Sequence, residues 1–124
     1  MVWKYFKKSL KRLKVKSLYG LLIHNTSDIL FDNKKFLNLI LEYKKKKLVS
    51  KIGISVYETQ EIEKVLKFWK PDIIQIPVNI FDQRFLKNNF LKTLKKKKIE
   101  IYARSCFLQG ILLKDTLCMG NDKS

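Results

Sequence analysis

Residues 51–77 read KIGISVYETQEIEKVLKFWKPDIIQIP, and this stretch decides the fold. Its first part, Lys51 to Tyr57, mixes β-branched residues with one glycine and reads as a strand. Thr59 then offers a helix N-cap, and Glu61 and Glu63 put negative charge in the first turn, where the helix dipole favours it. Ile62, Val65, Leu66 and Trp69 recur at i, i+3, i+4 and i+7 and form one apolar stripe. Pro71 stops the helix, because the residue before a proline is pushed out of the α region. Ile73 to Pro77 is apolar and β-branched again, a second strand. Strand, helix and strand in this order imply a right-handed crossover and parallel pairing.

The same alternation extends in both directions. Upstream, Leu18 to Ile23 is a short apolar run whose length and flanks favour a strand covered on both faces, and the polar cluster His24 to Asp28 suits a loop. Before it, Phe6, Leu10 and Leu13 at i, i+4 and i+7 mark a helix. Between the first two strands a helix starts near Asp32, a plausible N-cap, and buries Phe36, Leu37, Ile40 and Leu41. Downstream, Leu86, Phe90, Leu91 and Leu94 line another helix, Ile99 to Ala103 is a fourth strand, and a loop runs from Arg104 to Gly110. We expect one domain over residues 1–113 and a frayed tail over 114–124.

The fold class is therefore α/β. A doubly wound sheet and a barrel both satisfy the periodicity. The chain has neither GxGxxG nor GxxxxGK[ST], which removes the commonest nucleotide-binding open sheets. A partial (β/α)8 TIM barrel is the better fit, with about four parallel strands and outer helices. A full barrel typically takes about 250 residues, so 124 residues amount to half of one.

The net charge of +16 draws attention to polyanions, but its distribution argues otherwise. Arginine stands only at positions 12, 84 and 104, whereas base readers and phosphate clamps favour its planar fork. The lysines crowd into 44–47 and 95–98, at the ends of two helices, where cations complement the dipole and stay solvated. No specific nucleic-acid partner is expected. Cys106 and Cys118 belong to no CxxC and no histidine cluster, so neither a metal site nor a disulfide scaffold is expected and a reducing cytoplasm is the default. The longest apolar stretch, Leu18 to Ile23, is far too short to span a bilayer, and no membrane partner is expected.

Polar residues at the C-terminal ends of parallel strands are where α/β enzymes keep their sites. His24 follows the first strand, Ser55 ends the second, Gln75 lies inside the third, and Arg104 and Ser105 follow the fourth. Any one of them alone reads as a structural or loop residue. Their coincidence at equivalent strand ends points to a shared mouth.

The wording of these segments resembles the aldo-keto reductase family over roughly residues 6–113. Ser9 to Leu13, leading into Leu18 to His24, resembles the helix and strand that end in the family's active-site histidine. Lys51-Ile-Gly-Ile-Ser-Val56 looks like its K-x-x-G-x-S strand, and Pro71 to Asn79 like its P-x-x-x-Q-x-x-x-N strand. Ile101 to Leu112 looks like its A-x-S-x-L-x-x-G-x-L segment, with Phe107 where leucine is usual. The resemblance implies an NAD(P)H-dependent oxidoreductase that reduces a small carbonyl substrate with NADP(H) or NAD(H). His24 would orient the substrate carbonyl, and Ser55 and Gln75 would grip the nicotinamide carboxamide. Arg104 falls where relatives stack an aromatic ring on the nicotinamide, and Ser105 would lie near the pyrophosphate. Val56 replaces an asparagine that many relatives use on the same carboxamide.

The family's proton-donating tyrosine, with its lysine and aspartate, lies on strands before the histidine strand. Here a helix precedes His24, and Tyr5 and Tyr19 do not match that context. The chain is thus expected to be a truncated or fragmentary reductase, inactive alone, that self-associates or pairs with a complementary barrel half. The alternative is a non-catalytic basic binding module on a decayed barrel scaffold.

Overall fold

A computed structural model describes residues 2–30, 34–87 and 89–113. Helix α1 (Val2–Leu13) leads into β1 (Leu18–Ile23), a single turn α2 (Ser27–Leu30) and α3 (Lys35–Lys45). Then come β2 (Val49–Ser55), α4 (Thr59–Leu66), β3 (Ile73–Pro77), α5 (Phe90–Lys96) and β4 (Glu100–Arg104), with short 3-10 turns at Arg84–Leu86 and Leu108–Leu113. The four strands form one sheet in the order β1-β2-β3-β4, and every pair is parallel. The sequential order is the one expected of a barrel segment rather than a doubly wound sheet, where the strand order reverses.

The two faces of the sheet differ in what they carry. Ile52, Ile54, Ile74 and Ile76, at most 1% exposed, join Leu37, Ile40, Ile62, Val65 and Leu94 of the helices in one core. Burying an aliphatic side chain of this size is worth about 1.5–3 kcal/mol, so this layer supplies most of the stability. On the other face Ile73 packs closely over Gly20 and Gly53, with Leu22 beside Gly53. A Cβ on Gly53 would lie 2.3 Å from the Ile73 carbonyl oxygen and 2.7 Å from Leu22 Cδ2. Glycine there lets Leu22 of β1 and Ile73 of β3 close over β2 on this side.

The structure departs from the sequence expectations at several helix ends. The loop expected over His24 to Asp28 gives way to α2, which seats Ile29 at 1% exposure. Helix α4 is entered from Glu58 rather than Thr59, because the Glu61 carboxylate reaches back to accept from the Tyr57 and Glu58 N–H groups at 2.7 and 2.9 Å. It ends at Leu66, before Pro71 can act, and Trp69 is half-buried beyond it. Leu13 is 61% exposed, since α1 meets the molecule through Trp3 and Phe6, whose rings lie 5.2 and 4.6 Å from that of Tyr43 on α3. The Asp32 cap and the 114–124 tail fall outside the described residues.

Candidate active site

Parallel pairing sets the level of each strand end. Ile23 is opposite Ile54, Ser55 opposite Gln75, and Pro77 opposite Arg104. His24, Ser55, Gln75, Arg104 and Ser105 therefore all belong to the C-terminal end of the sheet. Beyond the last ladder residues the chain keeps donating across strands: Val56 N–H to the Gln75 carbonyl at 3.0 Å and Val78 N–H to the Arg104 carbonyl at 3.1 Å.

Ser55 and Gln75 form the centre of this end. The Ser55 hydroxyl, in a residue 2% exposed, donates to Gln75 Oε1 at 3.1 Å. That bond occupies the glutamine oxygen and leaves two complementary groups: the serine oxygen as an acceptor and the glutamine NH2 as a donor. A primary carboxamide presents the matching donor and acceptor.

Arg104 joins the pair from the far strand. Its guanidinium lies 4.1 Å from the centroid of the Tyr57 ring, and Nη2 donates to the Val56 carbonyl at 3.4 Å. The side chain thus crosses the end of β3 to rest on the segment that follows β2. Its Nε is buried and has no partner among the described residues, a donor that costs free energy until something accepts from it. Ser105 is exposed with a φ of 60°, and its carbonyl accepts from Leu108 N–H at 3.2 Å.

His24 sits at the same end but opens elsewhere. It is exposed and lines a cavity of about 310 Å³ along β1, together with Tyr5, Phe6, Asp28 and Tyr43. Burial pushes the Tyr43 phenol upward, and its hydroxyl has no partner among the described residues. Ser55, Gln75 and Arg104 form one linked group, and His24 flanks it.

Around this group the charged side chains are tied down. Burial works to raise the Glu61 pKa, but hydrogen bonds from the Tyr57 and Glu58 N–H groups and the Thr26 hydroxyl outweigh it and hold the carboxyl below its ordinary value. Arg84 binds Glu58 and Asp82, and its hydrogen bond keeps the Asp82 carboxyl low. Sequence reading missed Tyr57 as the platform for Arg104. The only available signal was its place directly beyond the Ser55 strand.

Among the described residues there is no cluster of histidine, cysteine and carboxylate side chains able to hold a metal, and no helix long and apolar enough to cross a membrane. A sequence model of the aldo/keto reductase family matches residues 1–122. No curated protein matches. Among solved structures, the holo form of an aldo-keto reductase from Bacillus halodurans is 20% identical with a TM-score of 0.73, over 88% of this chain and 37% of that one. An aldo/keto reductase from Brucella melitensis is 25% identical with a TM-score of 0.64, over 91% and 43%. A glycerol dehydrogenase from Gluconobacter oxydans is 20% identical with a TM-score of 0.70, over 99% and 36%. The chain thus spans less than half the length of each of these three structures.

Proposed function

The chain belongs to the aldo/keto reductase family, and from that premise we propose that its C-terminal sheet end holds the nicotinamide of NADP(H) or NAD(H) beside a small carbonyl substrate. The observation that carries this reading is the Ser55–Gln75 pair, whose unused acceptor and donor match a carboxamide. The bound cofactor supplies the hydride. This chain's share is placement: Ser55 and Gln75 fix the carboxamide and hence which ring face is presented. Arg104, held over the Tyr57 ring, offers its planar guanidinium as a stacking group where relatives use an aromatic ring. Ser105 lies on the same rim for the pyrophosphate, and His24 flanks it for the substrate oxygen.

Reduction also needs a proton for the alkoxide oxygen. No residue of this chain matches the family's tyrosine, lysine and aspartate, and loss of a general acid costs about 10²–10⁴-fold. The 124 residues by themselves therefore bind cofactor without turning over, and a complementary barrel half of different sequence is the proposed supplier of the missing groups. Titration with NADPH, followed by quenching of protein fluorescence, tests the binding arm. Gln75→Ala and Ser55→Ala should each weaken binding about five- to ten-fold, the worth of one buried hydrogen bond. Equal affinity in all three proteins would reject the carboxamide assignment.

A further inference from the structure

The lysine runs that the sequence presents as separate helix ends share one end of the molecule. Four parallel strands, each entered from a helix, put every helix-to-strand loop at the strands' N-terminal end, opposite Ser55 and Gln75. Lys14 and Lys16 precede β1, Lys46 and Lys47 precede β2, and Lys97 and Lys98 precede β4; all six are exposed. The nearby carboxylates are already engaged, Asp72 by Lys44, Glu42 by Lys45 and Glu100 by Lys51.

Three of these loops repeat one geometry. Lys14, Lys47 and Lys98 have φ of 55°, 57° and 56°. After each, the next N–H closes on the carbonyl five residues back: Val15 to Leu10 at 3.1 Å, Leu48 to Tyr43 at 3.0 Å and Ile99 to Leu94 at 3.2 Å. This is the helix ending in which glycine is the usual occupant, because a side chain is strained there. Lysine occupies it three times, and in the first loop Lys14 is flanked by two exposed aliphatic side chains, Leu13 at 61% and Val15 at 43%.

We propose that this end of the molecule docks on an anionic lipid bilayer, with the lysines against the headgroup phosphates and Leu13 and Val15 entering the acyl boundary. Taken singly, the runs gave no reason to expect a membrane partner; gathered on one end, they form a multi-loop cationic surface. Lysine suits this partner, since its stem lies along apolar material while the ammonium reaches the headgroups. The aliphatic pair decides against nucleic acid, whose backbone rewards the charges but gives Leu13 and Val15 nothing to bury against.

Co-sedimentation with vesicles tests the assignment. The protein should bind vesicles containing phosphatidylserine, release with rising salt, and ignore pure phosphatidylcholine. Each lysine near such a surface is worth about five-fold in partitioning, so K14G/K47G/K98G should lose on the order of 100-fold. Glycine is at ease at those three positions, so the variant melts no lower than the native chain and the loss cannot be blamed on unfolding. L13S/V15S should weaken binding several-fold and leave the salt dependence in place. Equal binding to neutral vesicles, unchanged binding by the triple glycine variant, or tighter binding to duplex DNA with L13S/V15S indifferent would each overturn it.

Discussion

The two ends of this sheet handle charge in opposite ways. At the C-terminal end of the strands, Glu61 binds two backbone N–H groups and Thr26, and Arg84 joins Glu58 to Asp82. Every strand-to-helix connection there is different. At the N-terminal end, three helix-to-strand loops share a single geometry and leave their lysines in solvent. The contrast follows from chain direction: helices end where strands begin, so one end inherits repeated helix terminations and the other is left to varied loops. Chemistry that needs residues of several kinds finds them at the varied end.

The sharpest way to break the C-terminal end lies below it, at Gly53. Gly53→Ala drives a methyl group into the Ile73 backbone carbonyl, which cannot swing aside, and forces β2 from β3 just under the Ser55–Gln75 pair. We expect a loss of about 3 kcal/mol in denaturant unfolding. Gly20→Ala is the control, since its Cβ would meet only the Ile73 Cδ1 methyl at 2.9 Å, the far end of a flexible side chain. Its cost should stay within about 1 kcal/mol. Equal costs at the two glycines would show that the close approach of β2 and β3 is not what holds the site.

The next effect in size belongs to Glu61. Glu61→Ala removes the acceptor for Tyr57 and Glu58 N–H and for Thr26, for a loss of about 1–2 kcal/mol at neutral pH. Because its folded pKa lies below the ordinary carboxylate value, its stabilisation is complete above that ordinary value and fades as pH falls through the depressed one. Thermal melts of the native chain and of Glu61→Gln should therefore differ most at neutral pH and converge in acid. A difference that grew with acidification would contradict the assigned role.

The sequence made the strands and their polar ends legible, and particular residues show where legibility stops. Leu18–Ile23 and Ile73–Pro77 were readable to the residue because short apolar runs with those flanks favour strands over buried helix turns. Gln75 stood out as an amide between two isoleucines, whereas Ser55 gained meaning only from its place at an equivalent strand end. Helix α2 was hidden, since four residues are too few to show a period. Glu58 was hidden as a cap because its role depends on Glu61 turning back, not on its own side-chain type. The Arg104–Tyr57 contact depends on the register that sets Pro77 opposite Arg104, and register is invisible to a single strand's composition. His24 was rightly placed at a strand end, yet which cavity it faces depends on α1 and α3 packing along β1.

The smallest effect tests the N-terminal end, and it turns on two adjacent lysines. Lys97 has a φ of −78° and Lys98 a φ of 56°, so identical side chains in one exposed run sit on opposite sides of the steric map. At Lys97 glycine would only add freedom to the unfolded chain, and Lys97→Gly should destabilise by about 0.5–1 kcal/mol. At Lys98 the same change relieves left-handed strain that exceeds this entropy, and Lys98→Gly should stabilise by about 0.5–1 kcal/mol. Both variants lose one positive charge from nearly the same place, so electrostatics cancels in the comparison and backbone conformation alone sets the sign. Urea melts of the two proteins side by side read it directly: shifts in the same direction would mean that charge crowding, not the helix ending, governs this end of the molecule.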